Sequence, residues 1–180
     1  MNYTKHQIRR IQDLNDGYFE VLFQKRSLNF APGSSVTLYN GPEDPIFIAS
    51  GISEPWVRLI MNRDLFSPNF QPGARSIKLN LEINNPLPEL MREESPNFVI
   101  TSSMAAAFFS YASTYPTTKC DVYYLGEDKI SEKWIEMSHN IVKDVRKMKG
   151  KESLYILGDE KILNAKAGKL LNTCKSSYLI

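Results

Sequence analysis

Alternation is the clearest signal along this chain. In "SIKLNLEI" the apolar Ile77, Leu79, Leu81 and Ile83 alternate with Lys78, Asn80 and Glu82. At the two-residue period of a strand, that pattern predicts one buried face and one wet face. "YFEVLFQK", "SSVTLY" and "PWVRLIMNR" carry the β-branched and aromatic residues that suit a pleated surface. Prolines at 32, 42, 45, 55, 68, 72, 86 and 88 fall between these runs, where they remove no ladder donor. From Gly17 to about Glu89 the pattern therefore predicts short strands in a small antiparallel barrel or sandwich.

After "REESPN" the texture changes to strands alternating with helices. "FVIT" is a short apolar strand, "SMAAAFFSYAS" a helical run and "DVYYLG" the next strand. Ser131 is placed to cap a long helix whose Trp134, Ile135, Ile141, Val142, Val145 and Met148 share one broad face. Gly150 is placed to end it. "SLYILG" reads as a third buried strand and "EKILNAKAGKLLNTC" as a final helix. This order predicts a three-layer α/β lobe over 97–174 with a short parallel sheet covered on both faces. The division expected is an N-terminal extension over 1–16, a barrel over 17–92 and an α/β lobe over 93–180.

Composition narrows the function classes. The 180 residues are 42% hydrophobic and 23% charged, enough for one compact domain or two small lobes with a real core. Twenty-two Lys and Arg against 20 Asp and Glu give a formal charge of +2, which argues against a dedicated nucleic-acid surface. The dense basic cluster, Lys143, Arg146, Lys147, Lys149 and Lys151, reads as a solvated helix end. Cys120 and Cys174 form no C-x-x-C pair and read as two reduced thiols. His6 and His139 have no carboxylate or cysteine at ligand spacing, so no metal site is expected. No apolar run approaches the ~18 residues that span a bilayer, and the N-terminus lacks a secretory core. The expected location is intracellular, cytoplasmic or organellar, with "MNYTKHQIRRIQDL" faintly amphipathic enough to admit a mitochondrial address.

Four segments in order resemble the ferredoxin–NADP reductase superfamily, which includes cytochrome b5 reductase-like and flavin reductase-like enzymes. "FAPGSSVTL" is similar to the family's F-x-P-G-Q-x-V-x-L, with Phe30, Pro32, Gly33, Val36 and Leu38 retained. "DPIFIAS" stands at the R-x-Y-S-I-A-S flavin motif, "FVITSSMAAAFFS" at V-L-I-A-G-G-T-G-I-A-P-F, and "LYILGD" at V-Y-x-C-G-P. The resemblance runs over roughly residues 17 to 174. It implies a ferredoxin reductase-like fold: an antiparallel flavin-binding barrel followed by a small Rossmann-like lobe that binds NAD(P)H.

The departures fall where the family does its chemistry. Asp44 stands where the family has the arginine that pairs with the flavin pyrophosphate, a charge-assisted contact that a carboxylate would reverse. Ile46 and Phe47 replace the Tyr and Ser that touch the isoalloxazine, while Ala49, Ser50 and Gly51 remain. The phosphate-holding G-x-x-S helix start is replaced by "LFSPNFQPGAR", in which Ser67 or Arg75 are poor substitutes. Ser102, Ser103 and Ala105 replace glycines that let backbone approach a pyrophosphate. Leu157 stands at the position of a cysteine that faces the nicotinamide, Gly158 is kept, and Asp159 reads as a turn residue. Only about thirty residues separate "DVYYLG" from "LYILG", so an additional βα unit is expected to be trimmed away.

These losses imply a degenerate member of the fold: a non-catalytic structural or assembly subunit of a larger complex, a redox or respiratory one among the candidates. It would contact other protein subunits, no nucleic acid and no membrane interior, with no cofactor and no catalytic residue. Phe47, Trp56 and Phe70 are the side chains expected to plug or flank the old flavin cleft. The alternative is a divergent active reductase using FAD or FMN with NAD(P)H. Its cofactor-binding residues would be Phe47, Ala49, Ser50, Ser102, Ser103 and Gly158, with Tyr178 near the flavin. No Ser-His-Asp ordering or G-x-S-x-G elbow points to an unrelated enzyme.

Overall fold

The computed structural model describes residues 2–15, 17–26, 28–41, 43–66, 73–82, 97–116, 120–138, 140–141, 154–158, 161–162, 165 and 177–179. The chain divides into two compact units, Met1–Pro88 with Ala106–Thr114, and Glu89–Ala105 with Tyr115–Ile180. Among the described residues, no helix is long and apolar enough to cross a membrane.

The first unit is a nearly closed antiparallel barrel. Its strands are β1 (Thr4–Asn15), β2 (Tyr18–Gln24), β3 (Ser35–Leu38), β4 (Ile46–Phe47), β5 (Trp56–Asn62) and β6 (Ser76–Glu82). They lie in the order β4-β3-β6-β1-β2-β5. A bridge between Ile48 and Leu59 and the bond from the Ala49 N–H to the Arg58 carbonyl, 2.9 Å, draw the two ends together. Alternation does the sorting: Val21 and Phe23, Val57, Leu59 and Met61, and Ile77 and Leu79 all enter one buried cluster. A short helix α1 (Arg63–Phe66) follows β5, and Phe66 stacks on Phe19 with ring centroids 4.1 Å apart.

The segment expected as an N-terminal extension is instead β1, a full barrel strand. It pairs with β2 over Ile8 to Asn15 and with β6 over Thr4 to Gln7. Two register shifts, between Ile8 and Arg10 and between Asp13 and Asn15, break its alternation. That is why its polar-rich sequence does not read as a strand.

The second unit is an all-parallel sheet in the order β11-β10-β7-β8-β9. The strands are β7 (Asn97–Ile100), β8 (Asp121–Tyr124), β9 (Asn140–Ile141), β10 (Leu154–Leu157) and β11 (Ser177–Leu179). Every residue of the central strand β7 is buried, as expected of a parallel strand covered on both faces. A single 3-10 turn, Ser102–Met104, follows β7 and leads into α2 (Ala105–Thr114), whose residues from Ala106 onward group with the first unit.

The sheet is wider than the three strands expected, and the helix after β8 is shorter. Helix α3 covers Lys129–Ser138 only. Ile141, placed by periodicity on that helix, lies in β9 opposite Val122. A strand is thus present where an additional βα unit was expected to be trimmed away, with Asn140 and Ile141 its described residues. The helix is capped not by Ser131 but by Asp128, whose Oδ1 accepts the Ser131 N–H at 3.0 Å. Asp128 and Ser131 are both good cap residues, and capping at Asp128 starts the helix at Lys129, with Ile135 on its buried side. The readings that rest on Val142, Val145, Met148, Gly150, the basic cluster and the greater part of the final helix lie outside the described residues, as do those on Ser67, Phe70, His139, Asp159 and Cys174.

Candidate functional site

In the first unit the site runs from Asp44 through β4 to Ile52. Asp44 is exposed, one residue before Pro45, and Ile46 turns into the barrel core. Phe47 is half-buried opposite Ser35. Ala49 and Ser50 are completely buried. The Ser50 hydroxyl accepts the Arg58 N–H at 3.1 Å, and its carbonyl accepts the Ser110 hydroxyl at 2.8 Å. Both polar groups of Ser50 are therefore engaged inside the unit.

Gly51 is fixed by neighbours on each side. Its N–H donates to Glu54 Oε1 at 2.7 Å, and its α-carbon lies so close to α2 that an added β-carbon would stand 2.7 Å from the Ser113 carbonyl carbon. The next N–H, of Ile52, donates to the Thr114 hydroxyl at 3.1 Å. The strand end is thus laced to α2 by backbone and hydroxyl bonds rather than open to an outside acceptor.

Lys25 Nζ donates to the Ile52 carbonyl at this strand end. Arg58 Nε donates to Glu20 Oε1 at 2.8 Å, on the outer side of the barrel. Trp56, expected at the old cleft, lies half-buried at the start of β5 with the Arg9 guanidinium 4.6 Å from its ring centre. Arg75, the possible substitute phosphate ligand, is exposed just before β6.

In the second unit the predicted residues gather at the carboxyl ends of the parallel strands. The chain runs from β7 to β8 and β9 on one side, then returns to β10 on the other, so β7 and β10 flank a switch in strand order. Open parallel sheets bind ligands at such a point. Thr101 N–H donates to the Leu157 carbonyl at 3.0 Å, which sets Gly158 against Thr101. A β-carbon at 158 would collide with the Thr101 side chain, so glycine is required there for packing.

The hydroxyls at this end pair with one another. Thr101 Oγ1 lies 3.0 Å from Ser103 Oγ, and Ser102 Oγ lies 3.0 Å from the Tyr124 hydroxyl. Tyr124 in turn donates to Asp128 Oδ2 at 3.0 Å. Burial pushes the Tyr124 phenol up to about 12, with Asp128 adding to the rise, so it stays a neutral donor. Asp128 thereby holds β8 and α3 together through two different side-chain bonds.

A cavity of ≈ 440 Å³ opens beside this network, lined by Ser102, Leu125, Gly126, Glu127, Lys161 and Ile162 among others. The structure thus unites Ser102 with residues that sequence reading passed over, Glu127 and Lys161 in particular. The available signal was positional: Gly126 and Glu127 lie just past Leu125 after the end of β8, and Gly158 follows β10. Tyr178 lies in β11, paired through its backbone with Tyr155.

No family model and no curated protein sequence matches the chain. Its backbone is similar to that of phthalate dioxygenase reductase, a modular structure for electron transfer from pyridine nucleotides. The TM-score is 0.73 and the identity 11%, over 99% of this chain and 68% of that one. It is also similar to a ferredoxin NADP+ reductase from Neisseria gonorrhoeae with bound FAD and NADP, at a TM-score of 0.69 and 13% identity, over 100% of this chain and 98% of that one. An intact type IV self-sufficient cytochrome P450 monooxygenase matches at a TM-score of 0.69 and 9% identity, over 98% of this chain but only 28% of that one.

Proposed function

We propose that this chain, which has the two-lobed fold of the ferredoxin–NADP reductases, is a non-catalytic member of that fold, a structural or assembly subunit of a larger complex. The observation that carries the reading is the segment on either side of β4. An exposed carboxylate, Asp44, occupies the position of the family's pyrophosphate-binding cation, and the buried Ser50 has both polar groups engaged within the barrel. Losing a charge-assisted hydrogen bond alone removes about 1.5 to 3 kcal/mol, before repulsion by the new carboxylate. The second unit adds to it, because Ser102 and Ser103 already pair with Tyr124 and Thr101. These side chains do not fit a dianionic pyrophosphate.

One observation favours the alternative of a divergent flavin-dependent NAD(P)H reductase. The cavity beside Ser102, Gly126 and Lys161 lies at the carboxyl ends of the strands, where a nucleotide would sit. In that reading Lys161 supplies the cation, with Glu127 at the same rim.

The two readings separate by spectroscopy and titration. The protein as purified should show no flavin absorption, and FAD and FMN should bind weakly or not at all. Asp44→Arg should bind FAD more tightly than the natural chain if a cofactor-shaped surface survives without its charge. Submicromolar flavin binding by the natural sequence, or bleaching of bound flavin by NADH or NADPH, would establish the reductase reading instead.

A further inference from the structure

We infer that the outer wall of the barrel formed by β1, β2 and β5 is a docking surface for an acidic, partly apolar segment of a partner protein. Register places Arg10 opposite Leu22 and Leu22 opposite Arg58, so the three form one row across the three strands. Val21 and Phe23 point into the core from the same strand, which leaves Glu20 and Leu22 on the outer face. Strict alternation would turn one of two neighbouring arginines inward. The bulge between Ile8 and Arg10 prevents this, and Arg9 and Arg10 are both exposed.

At the centre of the wall lies a buried carboxylate. Glu20, 6% exposed, receives Arg10 Nη2 at 2.6 Å and Arg58 Nε at 2.8 Å, one on each oxygen. A single carboxylate thus holds two guanidiniums in fixed positions, and each keeps further N–H donors for an incoming anion. Arg9 is held in a third way, over the Trp56 ring. Three cations against Glu20 leave the wall positive, and Asp13, farther along β1, is matched by Arg63 at 3.9 Å. Holding arginine side chains in advance lowers the ordering cost of binding, and Arg and Trp are the residues that most often anchor protein interfaces.

Charge complementarity calls for carboxylates in the occupant. Leu22 and Trp56, both half-buried between the guanidiniums, call for apolar side chains among them. A nucleic acid fits less well, since the whole chain carries a formal charge of only +2 and phosphate binding draws on a broad positive field. The inference rests on the subunit reading only in assigning the acidic segment to a neighbouring subunit.

The test is a titration of the full chain with a synthetic peptide in which glutamate alternates with leucine and tyrosine, at low and at moderate salt, with oligothymidylate in parallel. The natural protein should bind the peptide in a salt-sensitive manner. Arg9→Glu, which leaves both ion pairs of Glu20 intact, should bind more weakly while keeping its thermal midpoint; the double variant Arg9→Glu, Arg10→Glu, measured below its lowered midpoint, should bind at least about tenfold more weakly, and Lys133→Glu, on α3, should bind as the natural chain does. Arg9→Lys, which keeps the charge, should retain most of the affinity. Unchanged binding by the double variant, no peptide binding by the natural protein, or tighter binding of oligothymidylate than of peptide would each overturn the inference. Flavin turnover by the chain would remove the subunit reading and leave these outcomes as they are.

Discussion

The hydroxyl of Ser110 donates to the carbonyl of Ser50 across 2.8 Å, and both residues are wholly buried. Ser110 therefore satisfies a backbone acceptor that water cannot reach, at the strand end that follows β4. Ser110→Ala leaves that carbonyl unmatched, and the expected cost is about 1 to 3 kcal/mol of stability. A denaturant titration should show the midpoint lowered with the slope unchanged. A loss within error of zero would mean that water reaches the carbonyl after all.

Asp128 joins two elements, so its removal should exceed the loss of a simple cap. Asp128→Ala removes the cap of α3, worth about 0.5 to 2 kcal/mol, and also the acceptor of the Tyr124 hydroxyl. Asp128→Asn keeps a capping oxygen and should recover most of the stability. Tyr124→Phe in each background separates the two roles, since the penalties should not add when both changes touch the same bond.

His6 gives stability a pH dependence of known sign. The ring is 3% exposed, with Nε2 2.7 Å from the Thr4 hydroxyl and Nδ1 3.3 Å from the Gln24 carbonyl. Burial lowers its pKa below 6.5, with Arg26 acting in the same direction and the Gln24 carbonyl opposing. The unfolded chain therefore takes up a proton before the folded chain does. Its contribution is fully present above 6.5 and is lost as pH falls through that value toward the lower folded-state pKa. His6→Gln should flatten the stability profile in this window; a profile as steep as that of the natural chain would assign the slope to carboxylates.

Cys120 is predicted to be chemically silent. Burial, with the neighbouring Asp121 adding to the rise, pushes its thiol up to about 12. In a Cys174→Ser background, maleimide labelling of the native protein at neutral pH should be slower than that of a small free thiol by at least about a hundredfold. Rapid labelling without loss of structure would show that the strand start at Asp121 opens locally.

Much of this architecture is legible in the chain itself. Ile77 and Leu79 alternate with Lys78 because one side of β6 faces the core, and the structure places them there. β1 is hidden because its bulge sets Arg9 and Arg10 side by side, which erases the period of two. β9 is hidden because Ile141 falls at helical spacing from Trp134, so the sequence alone reads it as part of the helix before it. In the candidate site, Ser50, Ser102, Ser103 and Gly158 stand at strand ends as expected, but which hydroxyl bonds which is set by contacts between segments far apart in sequence. The pairing of Ser50 with Ser110, sixty residues apart, has no local signature.

The sheet of the second unit is not uniformly secured. Among the described residues, β7 is buried at every position and paired on both sides, whereas β9 pairs with β8 at Asn140 and Ile141 and β11 with β10 at Ser177, Tyr178 and Leu179. Amide hydrogens at a sheet margin open to solvent more readily than those at its buried centre. Exchange with deuterium should therefore reach Ile141 and Tyr178 before Phe98 and Val99.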